Sequence, residues 1–236
     1  MPRRPRLELP GVPLHVTHRG VNRAAVFLDD EDHATYRQFL REALAEHGIA
    51  LHAYVLMTNH VHLLLTAPAP GRLSRAMSRL GQRYVPLFNR KHGRTGTLWE
   101  GRFKSCVVDS SGYLARVHRY IELNPVRAAM VADPEHYRWS SVHASVGTAS
   151  DSLLTPHPAF LAIASDPAER GRLHRQWLRE ALHDDELRAI RIHLQQERAL
   201  GSPRFQEMVE KTLNRPVAVR PRGRPPSTPA DFIERA

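Results

Sequence analysis

Two apolar segments separated by only two residues constrain the fold of this chain more than any other part of its sequence. Ile49 to Met57 and His60 to Thr66 are each long enough for a strand, and Thr58-Asn59 leaves room only for a tight turn between them. Apolar runs of this length with a short connection are typical of a β-hairpin. The sequence therefore predicts two adjacent antiparallel strands, around which the remaining elements must be arranged.

The second strand of this hairpin begins with His60-Val61-His62. Successive side chains of a strand point to opposite faces, so both histidines share one face while Val61 points to the other. Two imidazoles on one rigid face can hold a divalent metal ion and leave coordination positions open for a substrate oxygen. The triplet also fits two ordinary strand histidines, and by itself it leaves both interpretations open.

Periodicity and capping signals predict further elements on both sides of the hairpin. They are a strand at 14–18, a helix at 29–47, a helix at 72–91, a strand at 99–108 and a helix from 110 or 111 to 123. The order β-α-β-β-α-β-α predicts an α+β fold, a ferredoxin-like antiparallel sheet with helices on one face. We expect this domain at 1–145, an α-helical extension at 146–214 and a disordered, Arg- and Pro-rich tail at 215–236.

Basic residues exceed acidic ones, with 34 Lys and Arg against 24 Asp and Glu and a formal net charge of +10. This excess indicates a polyanionic partner, nucleic acid above all, although a solvated basic surface gives the same composition. The basic N-terminus leads into no apolar segment, and no run of about 18 apolar residues follows, so we expect no secretory signal and no membrane span. The single cysteine, Cys106, fits a reducing compartment. We expect a cytoplasmic, nucleoid-associated protein.

Tyr120 and Asn124 are four residues apart in a predicted helix and therefore share one face of it. A tyrosine beside a bound metal ion can attack a phosphodiester, and Asn124 can offer its carbonyl oxygen as a third ligand beside His60 and His62. Two other interpretations stay open at this point. Tyr120 also fits an interfacial core residue, and Asn124 fits the N-cap of a helix that continues with Pro125.

Five segments occur in an order that resembles a known family. They are Asn59 to Leu63, Tyr84 to Asn89, Gly96 to Ser105, Arg119 to Ala128 and Tyr137 to Ser141. This ordered set resembles the REP-associated tyrosine transposases, a branch of the single-tyrosine transposases within the HUH endonuclease superfamily. The resemblance covers about residues 10 to 145 and implies a ferredoxin-like HUH core.

The resemblance also implies a site. His60 and His62 take the places of the paired metal ligands, Asn124 that of the third metal-contacting residue and Tyr120 that of the nucleophile. The implied cofactor is Mg²⁺ or Mn²⁺, and the implied substrate is single-stranded DNA beside a palindromic hairpin, cleaved through a 5′-phosphotyrosine and rejoined without ATP. The insertion-sequence branch often has Gln where this chain has Asn124, which favours the REP-associated branch. Both a monomer and a homodimer stay open.

Basic side chains outside this set are candidates for contacts with DNA. They are four arginines at helical spacing in one helix, two residues on one face of the predicted strand at 99–108 and two in the first turn: Arg72, Arg75, Arg79, Arg83, Arg102, Lys104, Arg19 and Arg23. The tail resembles an AT-hook, in which Arg222 and Arg224 would enter an A·T minor groove; a merely basic tail fits equally well. The segment from Asp184 to Leu213 can form a helix-turn-helix-like DNA module.

Two rival functions follow from the same sequence. A HUH nickase of plasmid replication or conjugation would normally bring a helicase or a further domain, which we do not expect in a chain of this length. A domesticated DNA-binding regulator would keep the fold with little turnover. The intact set of His60, His62, Tyr120 and Asn124 argues against the regulator.

Overall fold

The computed structural model describes residues 5–110, 112–180 and 182–220. A four-stranded sheet in the order β2-β3-β1-β4 lies at its centre, and all neighbouring strands are antiparallel. The strands are β1 (Pro13–Arg19), β2 (Ala50–Met57), β3 (His60–Thr66) and β4 (Lys104–Val107). The predicted hairpin is formed by β2 and β3, with Met57 opposite His60.

Helices surround this sheet. In the described residues they are α1 (Asp30–Glu46), α2 (Arg72–Lys91), α3 (Tyr113–Glu122), α4 (Asn124–Arg127), α5 (Val142–Ser145), α6 (Pro158–Leu161), α7 (Pro167–Arg179), α8 (Asp184–Gln196) and α9 (Pro203–Leu213). The predicted α+β class and the helical character of the extension are confirmed. None of the helices in the described part of the chain is long and apolar enough to cross a membrane.

The first face of the sheet is covered by α1 and α2, which pack against each other. Tyr84 and Phe88 of α2 lie in one apolar cluster with Tyr36 of α1, Val16 of β1 and Leu63 of β3. The apolar residues of α2 recur at spacings of three and four, so they form a single stripe that this face can bury. On this face the prediction of helices packed against a sheet is correct.

The second face is also covered by helices, which the sequence prediction of one covered face did not include. Val117 and Ile121 of α3 and Leu194 of α8 cluster with Val55 of β2 and Leu64 of β3. The physical reason lies in β3, where three consecutive leucines alternate between the faces and make both of them apolar. A sheet with two apolar faces requires helices on each side.

The strand β4 is shorter than predicted, and its outer edge is covered by the extension. Trp99 lies outside the strand and stacks on His18, with ring centroids 4.0 Å apart, and His18 Nε2 donates to the carbonyl of Gly101 at 2.9 Å. At the edge of the sheet, Leu200 pairs with Val108 as a parallel bridge. An exposed strand edge invites pairing with other chains, and this bridge blocks it.

Candidate active site

Three histidines meet on the second face of the sheet, where β3 pairs with β1. His60 and His62 belong to β3, and His15 is a buried residue of β1. A hydrogen bond of 3.0 Å joins His15 Nε2 and His62 Nδ1, so Nε2 of His62 is left for another partner. Asn59 Oδ1 accepts a hydrogen bond of 2.6 Å from His60 Nδ1, which likewise leaves Nε2 of His60.

The two imidazoles of β3 fit a shared divalent ion. Their ring centroids are 5.1 Å apart, and two imidazoles that bind one ion through nitrogen at about 2.1 Å have centroids roughly 5 Å apart. Metal-ligating histidines commonly use the other ring nitrogen for an orienting hydrogen bond, as both do here. Burial lowers the pKa of His60 to about 4, with Arg19 adding to the effect, and burial holds the pKa of His62 well below its ordinary value. Both rings are therefore neutral near pH 7, which is the form that binds metal ions.

Tyr120 reaches the same place from α3. It is 6% exposed, and its ring lies edge-on to His62 and to His15 with a centroid separation of 5.7 Å in both cases. Arg127 covers the Tyr120 ring from α4, with its guanidinium carbon 4.2 Å from the ring centroid, and its Nη2 donates to the Tyr120 carbonyl at 2.6 Å. The candidate nucleophile thus contacts His62, one of the two candidate metal ligands, within one chain.

Asn124 lies one helical turn after Tyr120. It is the first residue of α4, whose N-cap is Leu123. The alternative prediction that Asn124 is the N-cap is therefore wrong. Its Nδ2 donates to the carbonyls of Tyr120 at 3.0 Å and Ile121 at 3.4 Å, which satisfies the end of α3. All hydrogen bonds that its side chain makes with described residues use the nitrogen, and Oδ1 is the atom that a metal ion would use.

A cleft of about 600 Å³ opens beside Tyr120 and His62. We call it the active-site cleft; its lining consists of Thr17, His18, Arg19, His62, Glu100, Gly101, Arg102, Lys104, Tyr120, Arg191, Leu194 and Gln195. A second cavity of about 500 Å³ lies beside His60 and is lined by Arg19 and Arg23, among others. Four of the basic residues predicted to contact DNA therefore line cavities at the site: Arg19, Arg23, Arg102 and Lys104.

The other predicted basic residues lie elsewhere. Arg72, Arg75, Arg79 and Arg83 are on α2, which covers the opposite face of the sheet from Tyr120. Two of them pair with glutamates of α1: Arg79 with Glu46 at 3.6 Å, and Arg83 with Glu42. They do not share the active-site cleft, and a DNA contact by these four residues stays a prediction. Arg222 and Arg224 fall outside the described residues.

Sequence reasoning missed a buried polar cluster around Glu122 of α3. We call it the Glu122 cluster; its members are His118, Glu122, Ser141, Ser145 and His174. The carboxylate of Glu122 is fully buried and accepts four hydrogen bonds: Oε1 from His118 Nε2 at 3.1 Å and from the hydroxyls of Ser141 and Ser145 at 2.6 Å each, and Oε2 from His174 Nε2 at 2.6 Å. The side-chain atoms of His118, Glu122 and His174 are close enough together to hold a metal ion. The only signal in the sequence was the spacing of four between His118 and Glu122.

His15 and Arg127 were also missed as parts of the site. His15 had been assigned only to a strand, and nothing in its neighbourhood predicts that it contacts a histidine 47 residues away. Arg127 lies in the segment from Arg119 to Ala128 that carries the resemblance, but its contact with the Tyr120 ring depends on how α4 turns back after α3.

Comparison with known proteins finds a family that the core of the chain is similar to. Residues 10–124 match the family model of IS200-like transposases. No curated protein matches the chain. Among solved structures, a REP-associated tyrosine transposase bound to a REP hairpin is similar, with a TM-score of 0.51 at 20% identity over 67% of this chain and 96% of that one.

A candidate transposase from Deinococcus radiodurans R1 is 24% identical over 51% of this chain and 96% of its own, with a TM-score of 0.37 that carries no argument about the fold. The similarity to the REP-associated protein supports a common fold.

Proposed function

We propose that this chain cleaves and rejoins single-stranded DNA with Tyr120 as the nucleophile, as the match of residues 10–124 to the IS200-like transposase family model supports. One observation carries this proposal: the Tyr120 ring packs against His62, and His62 lies beside His60 with the Nε2 atoms of both rings free of other hydrogen bonds to described residues. A phenol next to a ready pair of metal ligands is the arrangement that phosphodiester attack requires.

The residues that would hold Mg²⁺ or Mn²⁺ are His60 and His62 through Nε2 and Asn124 through Oδ1. When bound, such an ion polarises the scissile phosphate and offsets the charge that develops on it. His15 and Asn59 hold the two rings in the orientation in which Nε2 can act as a ligand. In the Glu122 cluster both carboxylate oxygens and the Nε2 atoms of His118 and His174 are already engaged in hydrogen bonds, so we assign the catalytic ion to the histidine pair.

The chemistry assigned to Tyr120 is a transesterification. Its Oη loses a proton and forms a bond to phosphorus, the bond between phosphorus and the 3′ oxygen breaks, and that oxygen leaves with a proton as a free 3′-hydroxyl. The DNA is then attached through a 5′-phosphotyrosine. A 3′-hydroxyl of the same or another strand can reverse the step, and because one phosphoester replaces another, no ATP is needed.

The substrate class follows from the charge of the active-site cleft and from the similar protein. Arg19, Arg102 and Lys104 give the lining a positive charge that suits a DNA backbone. The REP-associated protein was solved bound to a REP hairpin, and we propose the single strand beside such a hairpin as the target here. Tyr120 and both histidines come from one chain, which supports a monomer as the acting unit. Because its substrate is DNA, we propose that the protein acts at the nucleoid.

A covalent-adduct assay tests this proposal. The full chain is incubated with Mn²⁺ and labelled hairpin oligonucleotides from the flanks of its own gene, and we expect a protein–DNA band that survives denaturation. Tyr120→Phe should abolish the band. Tyr113→Phe, seven residues earlier on the same helix and outside the cleft lining, is the matched control and should retain it. If the protein binds the oligonucleotides from both flanks of its gene but forms no adduct with any of them, the function as a DNA-binding regulator is favoured instead.

A further inference from the structure

The helical extension contributes to the active-site cleft. Arg191, Leu194 and Gln195 of α8 line it together with Tyr120 and His62. Leu194 and Gln195 lie three and four residues after Arg191, so all three side chains are on one face of α8. The helix is fixed in place because Ile190 and Leu194 are buried against the second face of the sheet, where α8 packs on β1, β4 and α3.

Arg191 places an unpaired positive charge in this cleft. Within the described residues, no carboxylate lies within 4.0 Å of its guanidinium, whereas Arg188, one turn earlier on α8, pairs with Asp185 at 2.5 Å. Glu100 is the acidic member of the lining, and Arg19, Arg102, Lys104 and Arg191 outnumber it. A fixed excess of cations around a concave site attracts an anionic ligand.

A second guanidinium, that of Arg127, adds to the positive charge around Tyr120. Arg127 has no acidic partner among the described residues, and its Nη1 is buried without a hydrogen-bond partner there. Burial lowers the pKa of Arg127 to about 10; Tyr120 opposes this shift, and the positive charge of Arg191 adds to it. Two like charges near one another cost free energy unless an anion joins them, and the anion that the proposed reaction brings is a phosphodiester.

We propose that Arg191 is a DNA-binding residue of the active-site cleft, which binds a backbone phosphate next to the scissile one. The proposal rests on the proposed function for the identity of the ligand. An arginine can donate two parallel hydrogen bonds to a phosphate, which fixes the strand as well as attracting it. The extension then serves as one wall of the catalytic cleft, rather than as a separate module that reads DNA at a distance.

A salt titration of DNA binding tests this role without turnover. The full chain carrying Tyr120→Phe is titrated with a fluorescent hairpin oligonucleotide that has a single-stranded flank, at several NaCl concentrations. We expect Arg191→Ala to weaken binding roughly 5- to 10-fold at low salt and to reduce the slope of log K against log[NaCl] by about 0.7, the loss of one single-strand phosphate contact. Arg191→Lys should keep most of the slope, and Arg188→Ala should match the parent.

Two outcomes would overturn the proposal. In the first, Arg191→Ala binds the oligonucleotide as tightly as Arg188→Ala does. In the second, Arg191→Ala keeps its affinity and, in a chain with Tyr120 intact, lowers only the rate of adduct formation at saturating DNA. Arg191 is exposed, so the melting temperature of Arg191→Ala should equal that of the parent, and Arg191→Gln serves as a second neutral variant. Failure of the proposed function is distinguishable: in that case a chain with Tyr120 intact forms no adduct, while Arg191→Ala can still weaken DNA binding as predicted.

Discussion

The Glu122 cluster permits a quantitative prediction, because its four hydrogen bonds define what Glu122→Gln removes. Burial alone would raise the pKa of Glu122, but His118 and His174 outweigh it and hold the pKa well below its ordinary value, so the buried group is a carboxylate. In the glutamine variant the oxygen can keep the three donors now at Oε1, and the amide NH₂ then faces Nε2 of His174.

That contact sets two donors against each other. His174 can avoid it by moving its proton to Nδ1, but Nδ1 is buried and has no hydrogen-bond partner among the described residues. A buried unpaired donor costs about 1–3 kcal/mol, and three hydrogen bonds lose the charged acceptor that roughly doubles their strength. We therefore expect Glu122→Gln to lower the free energy of unfolding by about 3–5 kcal/mol, as is usual for a broken buried pair.

Urea denaturation at pH 7, followed by far-UV circular dichroism, measures this loss. The matched control is Glu169→Gln, at a half-exposed glutamate of α7 that pairs with Arg172; its effect should stay within about 0.5 kcal/mol. Combining Glu122→Gln with His174→Leu should give a coupling of about 1 kcal/mol or more, since the two side chains share a hydrogen bond. A loss below about 1 kcal/mol for Glu122→Gln, or additive effects in the double variant, would refute the reasoning.

Three further perturbations test the site and the fold. His15→Leu removes the hydrogen bond at Nδ1 of His62, and the Mn²⁺ concentration for half-maximal adduct formation should rise about 10- to 100-fold; an unchanged value would rule out an orienting role. Arg127→Met removes the cation over the Tyr120 ring and should slow adduct formation roughly 3- to 30-fold in quenched time courses, with DNA affinity retained. Leu64→Ala creates a cavity under α3 and should cost about 2–5 kcal/mol in urea denaturation, whereas a loss below about 1 kcal/mol would contradict tight packing on the second face.

Local patterns were sufficient to predict some elements with their bounds. The structure has β3 at His60–Thr66 and α2 at Arg72–Lys91, as predicted, because short-range signals decide both. Asn59 and Gly71 interrupt the chain just before each element, and the apolar spacing inside each one matches a single period. The contact between Tyr120 and the histidine pair was expected from the resemblance, and the spacing of residues alone did not predict it.

Contacts between distant segments escaped prediction for a physical reason. His174 reaches Glu122 across 52 positions in the sequence, and no periodicity relates two such residues. In the sequence, the segment from Tyr137 to Ser141 is identified only by the resemblance, and its contacts in the structure show what it does. Tyr137 Oη donates to the Leu56 carbonyl at 2.8 Å, and Ser141 Oγ accepts from the Tyr54 amide at 3.1 Å. The segment anchors the chain to β2, an edge strand of the sheet.

The position of Tyr120 on α3 connects the catalytic face with the extension. Residues two apart on a helix point to nearly opposite sides, so Tyr120 faces the cleft while His118 and Glu122 face the buried cluster. There His174 of α7 fixes α3 from behind, and α8 of the same extension supplies Arg191 to the cleft in front. A displacement of the extension would therefore move the nucleophile and a wall of its binding site together, so Glu122→Gln should weaken DNA binding as well as folding.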